Sequence, residues 1–508
     1  MTIQADARAY EGEQERVELP SEQYVVRAMP AVLKKFDVFA TYVTALFLIT
    51  NAVSSAAGGP VSLTYLILGA LIFFLPCVVA SIQLGVMMPH EGALYHWTTK
   101  ALNPFWGFFI AVSYWLTGVL AVITAGSAFI QTIQGLNGSW LQEPWQQGVA
   151  ILGLLVVVAL FGLQRMRHTQ NFVNITFFTT LLATILIGLA AVVWLVSGHA
   201  FQTDFSHPAD WFVGKDNFFL FALITLNFIG ASGPLNMAGE IQGSGKDPGL
   251  VGRIIKRQLL LGTPLVFVLY MVVAVSTLIV RGASALQTSS NLAFEGFATV
   301  SQVFGSTLGE VAIVCFLLYC ITAMVFYSYS SARLLFVAGV DGQIPSRFGR
   351  LNRNRVPGFA MIFQVLATAL VVVFIYVIMP PVMVTFFGGT ASAMSVEIYT
   401  VTAASCTLVW TIASFFFFIN LVAIYRKDRT RFITMRQFPL WVIWLSVVVG
   451  GLACVLTVVG ILLYPWIPLI AANAWGYLVG GIAVALLVVS GVVSMFANME
   501  ASWENFAR

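Results

Sequence analysis

The side chains that could carry out chemistry inside this chain are few, and their spacing forms none of the familiar reactive arrangements. Asp37, Glu240, Glu310 and Glu397 are the carboxylates nearest to long apolar segments, and each lies near a segment end, where it is expected to reach water. Cys77, Cys315, Cys320, Cys406 and Cys454 all fall inside apolar segments with no C-x-x-C pair, which reads as buried small hydrophobes. His90, His96, His168, His199 and His207 sit in or beside loops without metal-ligand spacing. No H-E-x-x-H, G-x-S-x-G or Gly-rich phosphate loop appears, so the expectation is no cofactor, no metal, no redox centre and no enzyme.

Conspicuous instead is a run of helix-breaking residues inside an apolar segment, Leu226-Asn227-Phe228-Ile229-Gly230-Ala231-Ser232-Gly233-Pro234-Leu235-Asn236. Pro234 lacks a backbone donor and collides with the carbonyl four residues back, and the glycines lower the cost of leaving helical geometry. Freed backbone groups in hydrocarbon cost several kcal/mol each unless protein, water or a solute satisfies them, so such a break belongs beside a cavity. A kink serving packing alone is the alternative. The counterpart is a polar stretch in the first apolar segment, Tyr42-Val43-Thr44 and Thr50-Asn51, which has no Gly or Pro to mark it. Two facing breaks would offer helix amino ends to a carboxylate and freed carbonyls to an ammonium group, as an α-amino acid requires.

The elements that must position these residues are set by composition. Of 508 residues 59% are apolar and 9% charged, too few charges to cover a water-soluble surface. Apolar runs long enough to cross the hydrocarbon occur at 37–56, 61–86, 105–133, 147–164, 171–197, 217–238, 258–280, 308–337, 358–379, 395–424, 439–463 and 474–496. The fold class is therefore an all-α integral membrane protein of about twelve spanning helices. An even count puts both termini on one side, and Lys and Arg cluster on that side: Lys34, Lys35, Lys100, Arg165, Arg167, Lys246, Arg253, Lys256, Arg257, Arg347 to Arg355 and Arg426 to Arg436. The other side holds Lys215 and Arg281. This asymmetry predicts cytoplasmic termini in the cell membrane. The net charge of +4 is thus a topology signal, with no nucleic-acid partner implied. The acidic first 30 residues are the wrong order for a signal peptide and are expected to be disordered or to lie along the inner surface.

Three stretches resemble the amino acid–polyamine–organocation superfamily. Pro89-His90-Glu91-Gly92-Ala93-Leu94-Tyr95-His96-Trp97 with Asn103-Pro104-Phe105-Trp106-Gly107-Phe108 is similar to its P-x-x-G-G-x-Y-x-W and L-G-x-x-x-G-F, with Ala93 in place of the second glycine. Phe228-Ile229-Gly230 followed by Glu240 and Lys246-Asp247-Pro248 is similar to F-x-G-x-E and the next loop. The most specific is Ser330-Ser331-Ala332-Arg333 through Asp341-Gly342-Gln343-Ile344-Pro345, then Phe348, Val356 and Pro357, similar to S-x-x-R-x-L-x-x-x-x-x-D-G-x-[LI]-P. The resemblance implies a five-plus-five inverted-repeat (LeuT-like) core over residues 36–425, a polar tail over 1–35 and two further helices with a short carboxyl end over 426–508. It implies discontinuous helices 1 and 6, unwound at about Thr41–Leu48 and Ile229–Gly233, with helix 2 turning in at Gly58-Gly59-Pro60.

On that resemblance the substrate-binding candidates are Thr44, Ala45, Thr124, Phe228, Ile229, Gly230, Ala231, Ser232, Gly233 and Asn236. The acidic residue usual after F-x-G-x is Ser232, and no Lys falls between Arg167 and Lys215, so exchange is favoured over charge-coupled symport. Proton or sodium coupling is the alternative, the latter drawing oxygens from Thr322, Ser328, Ser330 and Ser331. An aromatic gate, if present, falls to Phe228 or Phe221 because Leu226 holds its usual place. Spacing from helix 1 to helix 3 is nearest the glutamate/γ-aminobutyrate antiporter branch. The expected function is secondary transport of an amino acid or its derivative, with a channel or a transport-dead receptor as rivals; the partners are the small solute and the bilayer.

Overall fold

The computed structural model describes residues 19–506 apart from 290, 382–384, 386–393 and 467–471. Among these residues twelve helices are long and apolar enough to cross a membrane: Lys35–Ala56, Pro60–Met87, Pro104–Leu136, Pro144–Gly162, Met166–Val196, Phe219–Glu240, Pro248–Val280, Ser306–Val340, Gly358–Pro381, Ile398–Lys427, Leu440–Leu463 and Ala474–Ala497. They are called spans 1 to 12 below. Proline opens spans 2, 3, 4 and 7, where its missing N–H would have had no intrahelical acceptor. Span 7 differs most from the apolar run at 258–280, because Arg253, Lys256 and Arg257 mask its first turns. Its start is set by Asp247, whose Oδ1 accepts from the Leu250 amide at 2.9 Å, with Pro248 at the first helical position.

Spans 1, 3 and 6 are the most enclosed, whereas spans 9 and 12 turn large apolar side chains such as Leu366, Leu370 and Val484 outward. That division sorts a protein-facing centre from a lipid-facing rim. Span 8 runs along span 3, and Gly118 lets Ser331 pack against its bare Cα.

Spans 1 and 6 are both interrupted. Span 1 is helical over Lys35–Leu46 and again over Ile49–Ala56, with Phe47 and Leu48 extended between them. Span 6 is helical over Phe219–Phe228, leaves the helix at Ile229 (ψ 146°) and Gly230 (φ 98°), and resumes as a 3-10 helix over Gly233–Glu240. The turn from span 1 to span 2 falls at Gly59, whose φ of 76° suits glycine.

Part of the amino-terminal tail is folded. Pro20–Ala28 forms a short helix against the ends of spans 6 and 8, at what is called here the inner end of the molecule. Ser21 donates its amide (2.8 Å) and hydroxyl (3.0 Å) to Asp341, and Val25 packs on Gly239. Leu33 then pairs with the chain after span 6, its N–H donating to Glu240 O at 2.9 Å while Gln242 N donates to Leu33 O at 2.8 Å. Residues 1–18 lie outside the described residues.

Two carboxylates expected to reach water are buried. Asp37 accepts from Arg167 Nη1 (2.7 Å), Asn174 Nδ2 (2.7 Å) and the Lys34 amide (2.8 Å), which pins span 5 to the start of span 1. Glu240 is wholly buried beside Arg333. Both find donors on distant elements, which replace water as their solvent. Glu310 is exposed, as expected; the side chain of Glu397 lies outside the described residues.

Candidate functional site

Breaking a helix in a bilayer leaves carbonyls without donors, and in span 1 three tyrosines supply them. Tyr319 OH donates to Thr44 O (2.8 Å), Tyr327 OH to Ala45 O (2.9 Å) and Tyr270 OH to Leu46 O (2.7 Å); the same Tyr270 oxygen accepts from the Leu48 amide at 3.2 Å. Tyr270 comes from span 7 and the other two from span 8. In span 6 the chain turns on Gly230, Gly233 N donates to Gly230 O (2.8 Å), and Ser330 Oγ on span 8 donates to Gly233 O (3.2 Å). Two helix amino ends, at Ile49 and Gly233, and two carboxyl ends, at Leu46 and Phe228, thus meet in the middle of the molecule. Such ends carry roughly half a positive or negative charge each.

Three spaces lie in file around these breaks. At the outer end a vestibule of about 390 Å³ is lined by polar Asn51, Gln131, Gln134 and Asn291 together with Leu226 and Trp466. It shares Asn51 and Leu226 with a cleft of about 40 Å³ bordered by Leu48, Thr124 and Ile229. The cleft shares Ala45, Tyr327 and Trp410 with an innermost hollow of about 10 Å³ between Gly230, Gly233 and Ser330. A hollow that size has room for one water at most. The centre is therefore closed, with its approach on the vestibule side. None of the residues lining the cleft or the hollow is charged.

Trp410 divides the cleft from the hollow. Its indole meets Tyr114 edge-on (centroids 5.5 Å, 81°) and Tyr327 likewise (5.9 Å, 80°). A Cβ on Gly230 would lie 2.9 Å from Trp410 Cζ2, so the glycine is required by this ring as well as by its φ.

Of the residues singled out from sequence, Ala45, Thr124, Ile229, Gly230 and Gly233 line these spaces. Thr44, Ala231, Ser232 and Asn236 are buried just behind them. Thr44 contributes its carbonyl to Tyr319, Ser232 faces Tyr114, and Asn236 donates Nδ2 to Ser330 Oγ at 3.0 Å. Thr124 offers little as a donor, since its hydroxyl is returned to Leu120 O at 2.9 Å. Phe228 lines neither the cleft nor the hollow: it stacks on Phe74 (4.9 Å, 12°) and meets Tyr270 edge-on (5.5 Å, 75°), while Phe221 sits against Phe218. The aromatic closure comes from Trp410, Tyr114 and Tyr327, on spans 10, 3 and 8, which sequence reasoning missed. Of the four possible sodium ligands, Thr322 is bonded to Leu318 O and to Thr176, and Ser330 crosses to span 6.

At the inner end lies a second buried constellation. Arg333 Nη2 lies 2.5 Å from Glu240 Oε1, and Arg333 Nε lies 3.0 Å from Glu91 Oε1. The second contact is off the line of the N–H and therefore Coulombic. Arg333 Nη2 also donates to Tyr329 OH, and the guanidinium lies 3.8 Å from the centroid of that ring. Glu91 Oε2 accepts from the Gly239 amide at 2.9 Å. Beside it, Glu22 Oε1 meets His96 Nε2 (2.6 Å) and Lys100 Nζ (2.8 Å). Burial would raise the Glu22 carboxyl, but hydrogen bonds from His96 and Lys100 outweigh it and hold the group down at about 2. His90 joins Glu22 and His96 in one cluster of ligand-type atoms, an arrangement their spacing did not suggest; with the Lys100 ammonium on the shared oxygen, it is an ion-pair network.

Comparison with known proteins agrees with this geometry. The family model described as amino acid permease matches residues 33–484. The lysine-specific permease LysP of Lactococcus lactis is 23% identical over 335 residues, which is 63% of this chain and 63% of that protein's length. A probable threonine/serine transporter, YbxG of Bacillus subtilis, is 23% identical over 68% of this chain and 73% of its own. The D-serine/D-alanine/glycine transporter of Escherichia coli is 22% identical over 76% of this chain and 77% of its own. With eleven of the twelve described spanning helices wholly inside one family model and two broken helices meeting at its centre, the chain belongs to the amino acid permease family, a branch of the amino acid–polyamine–organocation superfamily, and is a multi-pass membrane protein.

Proposed function

We propose that this permease carries a small neutral α-amino acid across the cytoplasmic membrane by alternating access, running as an exchanger, with both termini in the cytoplasm. The observation that carries the reading is the uncharged centre between two broken helices, which leaves recognition of a zwitterion to backbone and helix ends. The amino ends at Ile49 and Gly233 suit the substrate carboxylate, and the carbonyls at the end of Phe219–Phe228 suit its ammonium group. A cationic side chain would call for an acidic partner, and no acid lines the cleft or the hollow. The printed substrates of two relatives, threonine/serine and D-serine/D-alanine/glycine, are small and neutral. Exchange is supported by Ser232 standing where the superfamily keeps an acid, and by the antiporter-like spacing of the first three helices.

In this reading spans 1–10, residues 36–425, form a five-plus-five inverted repeat, and residues 426–508 lie outside it. The two breaks, five spans apart, support that assignment. Counterflow tests the function. Purified protein in liposomes loaded with an unlabelled mixture of amino acids should take up the labelled mixture faster than empty liposomes do, with saturation. Flux without saturation or trans-stimulation points to a channel and rejects alternating access.

A further inference from the structure

We propose that Glu91 and Glu240 share one exchangeable proton around Arg333, and that this proton site latches the inner end of the permease and couples its opening to proton release. Two carboxyl groups face one guanidinium, all three side chains wholly or almost wholly buried. Arginine stays charged, so with both acids ionised the cluster would bury a net negative charge, which is costly without compensation. One proton makes it neutral. Glu240 Oε2 is buried without a hydrogen-bond partner, which gives that proton a place to sit. Burial, then the nearby charge of Glu240, pushes the Glu91 carboxyl well above the usual carboxylate range.

The surrounding titratable groups are engaged elsewhere. Glu22 binds His96 and Lys100, Asp341 binds Ser21 with Tyr95 beside it, Asp37 binds Arg167, and Arg431 donates to Met87 O. His90, next to Glu91, is pushed down to about 4 by burial and then by His96, and so brings no cation at neutral pH. Tyr329 offers only its hydroxyl and ring face.

The cluster also ties together the elements that must part for an inner opening. Glu91 sits in the loop after span 2, Glu240 ends span 6 and Arg333 is on span 8; Gly92 N donates to Asn236 O at 3.0 Å. About one helical turn further out on the same two spans, Asn236 and Ser330 bond to each other, and Ser330 bonds to Gly233 at the central hollow. A shift at the substrate site is thereby transmitted to the pair. When spans 6 and 8 separate, each carboxyl meets water and the proton leaves as hydronium on the inner side; the same solution returns a proton to the acid before the latch re-forms. Release and uptake face one side, so the cycle moves the zwitterion and no net proton. Acid on the inner side therefore favours the latched state, and alkali there favours the open one. The coupling step rests on the transport reading above, whereas the proton site itself does not.

Two measurements separate those layers. Infrared spectroscopy of the purified protein at neutral pH should show the carbonyl stretch of a protonated carboxyl that is missing from Glu91→Gln or Glu240→Gln, each of which leaves one acid paired with Arg333. A spectrum lacking such a band in the wild type, or unchanged in both variants, overturns the proton site without touching the transport reading. In liposomes with the pH on the outer-end side held constant, counterflow of the labelled mixture should change up to about tenfold per unit of pH on the inner-end side where the shared proton titrates. Either Gln variant should respond less, and Glu91→Asp should recover part of the response. Wild-type counterflow indifferent to that pH overturns the coupling alone, as do Gln variants that respond like wild type; loss of counterflow in the wild type rejects the transport reading.

Discussion

Gly230 carries two constraints that a side chain cannot meet together, a φ of 98° and the Trp410 ring 2.9 Å from where a Cβ would be. Gly230→Ala is expected to lose about 1–3 kcal/mol of stability through backbone strain and to abolish substrate binding; thermal melting with and without substrate checks both. A variant that melts and binds like the wild type moves the site away from span 6. Pro234 behaves differently from what its sequence context suggests. It occupies the first turn of Gly233–Glu240, where a donor is not needed, so the break is set by Gly230. Pro234→Ala should therefore cost only about 0.4–1 kcal/mol, through the unfolded chain, and leave affinity unchanged. Titration at the inner surface adds a pH prediction. His90 is lowered from 6.5 to about 4, so the folded state binds fewer protons and the stability it contributes is present above 6.5 and lost as pH falls toward 4. Glu22, lowered from 4.5 to about 2, extends the loss from 4.5 downward. A thiol probe at Val25→Cys, buried under the Pro20–Ala28 helix, should gain reactivity across the upper window after correction for thiolate fraction, and His90→Gln should remove that step. Reactivity flat from 7 to 4 would contradict it.

The two broken helices were unequally legible. Span 6 announces its break because Gly230, Gly233 and Pro234 are all local, and the sequence reading placed it within a residue. Span 1 has neither Gly nor Pro between Lys35 and Ala56, and its break at Phe47 and Leu48 is held by Tyr270, Tyr319 and Tyr327, more than 200 residues away. No local pattern encodes a donor supplied by another helix, so that break shows in the sequence only faintly, as the polar residues Tyr42 to Thr44 and Thr50-Asn51, and takes its bounds from the family likeness. The same reason hides Trp410, one of 13 tryptophans, as the divider of the central space, and turns Asp37 and Glu240 from apparent surface charges into buried ones. Removing the donors tests this account. Tyr319→Phe and Tyr327→Phe each leave one buried carbonyl unpaired and should cost about 1–3 kcal/mol; Tyr270→Phe, which loses two bonds, should cost the most. Melting temperatures should fall in that order, and substrate affinity with them. Equal melting for all three would mean that the carbonyls find other donors.

Across the whole molecule, the count of spans and the sidedness of Lys and Arg come from composition alone, and the helices agree with the apolar runs except at the start of span 7. Orientation is a separate, testable matter. Single cysteines beside Lys246, Arg350 and Arg429 in a cysteine-free protein should react only from the cytoplasm, and ones beside Asn137 and Lys215 only from outside. A reversed pair would invert the membrane orientation proposed above and the side on which the vestibule opens. On the proposed alternating-access reading, the vestibule, shut from the inner end by Trp410 and then by the Glu91–Arg333–Glu240 cluster, makes this conformation the one that awaits solute from the outer side.

The tyrosines that hold span 1 open also set a timetable for biogenesis. When the first span leaves the ribosome, spans 7 and 8 have not been synthesised, and nothing in its own residues bends it. It must enter the bilayer as an unbroken rod, its carbonyls satisfied within the helix. Only after Tyr270, Tyr319 and Tyr327 have been inserted can that rod be exchanged for two half-helices. The break in span 1 therefore forms late in assembly, and a chain stopped before span 7 would lack every tyrosine that holds it.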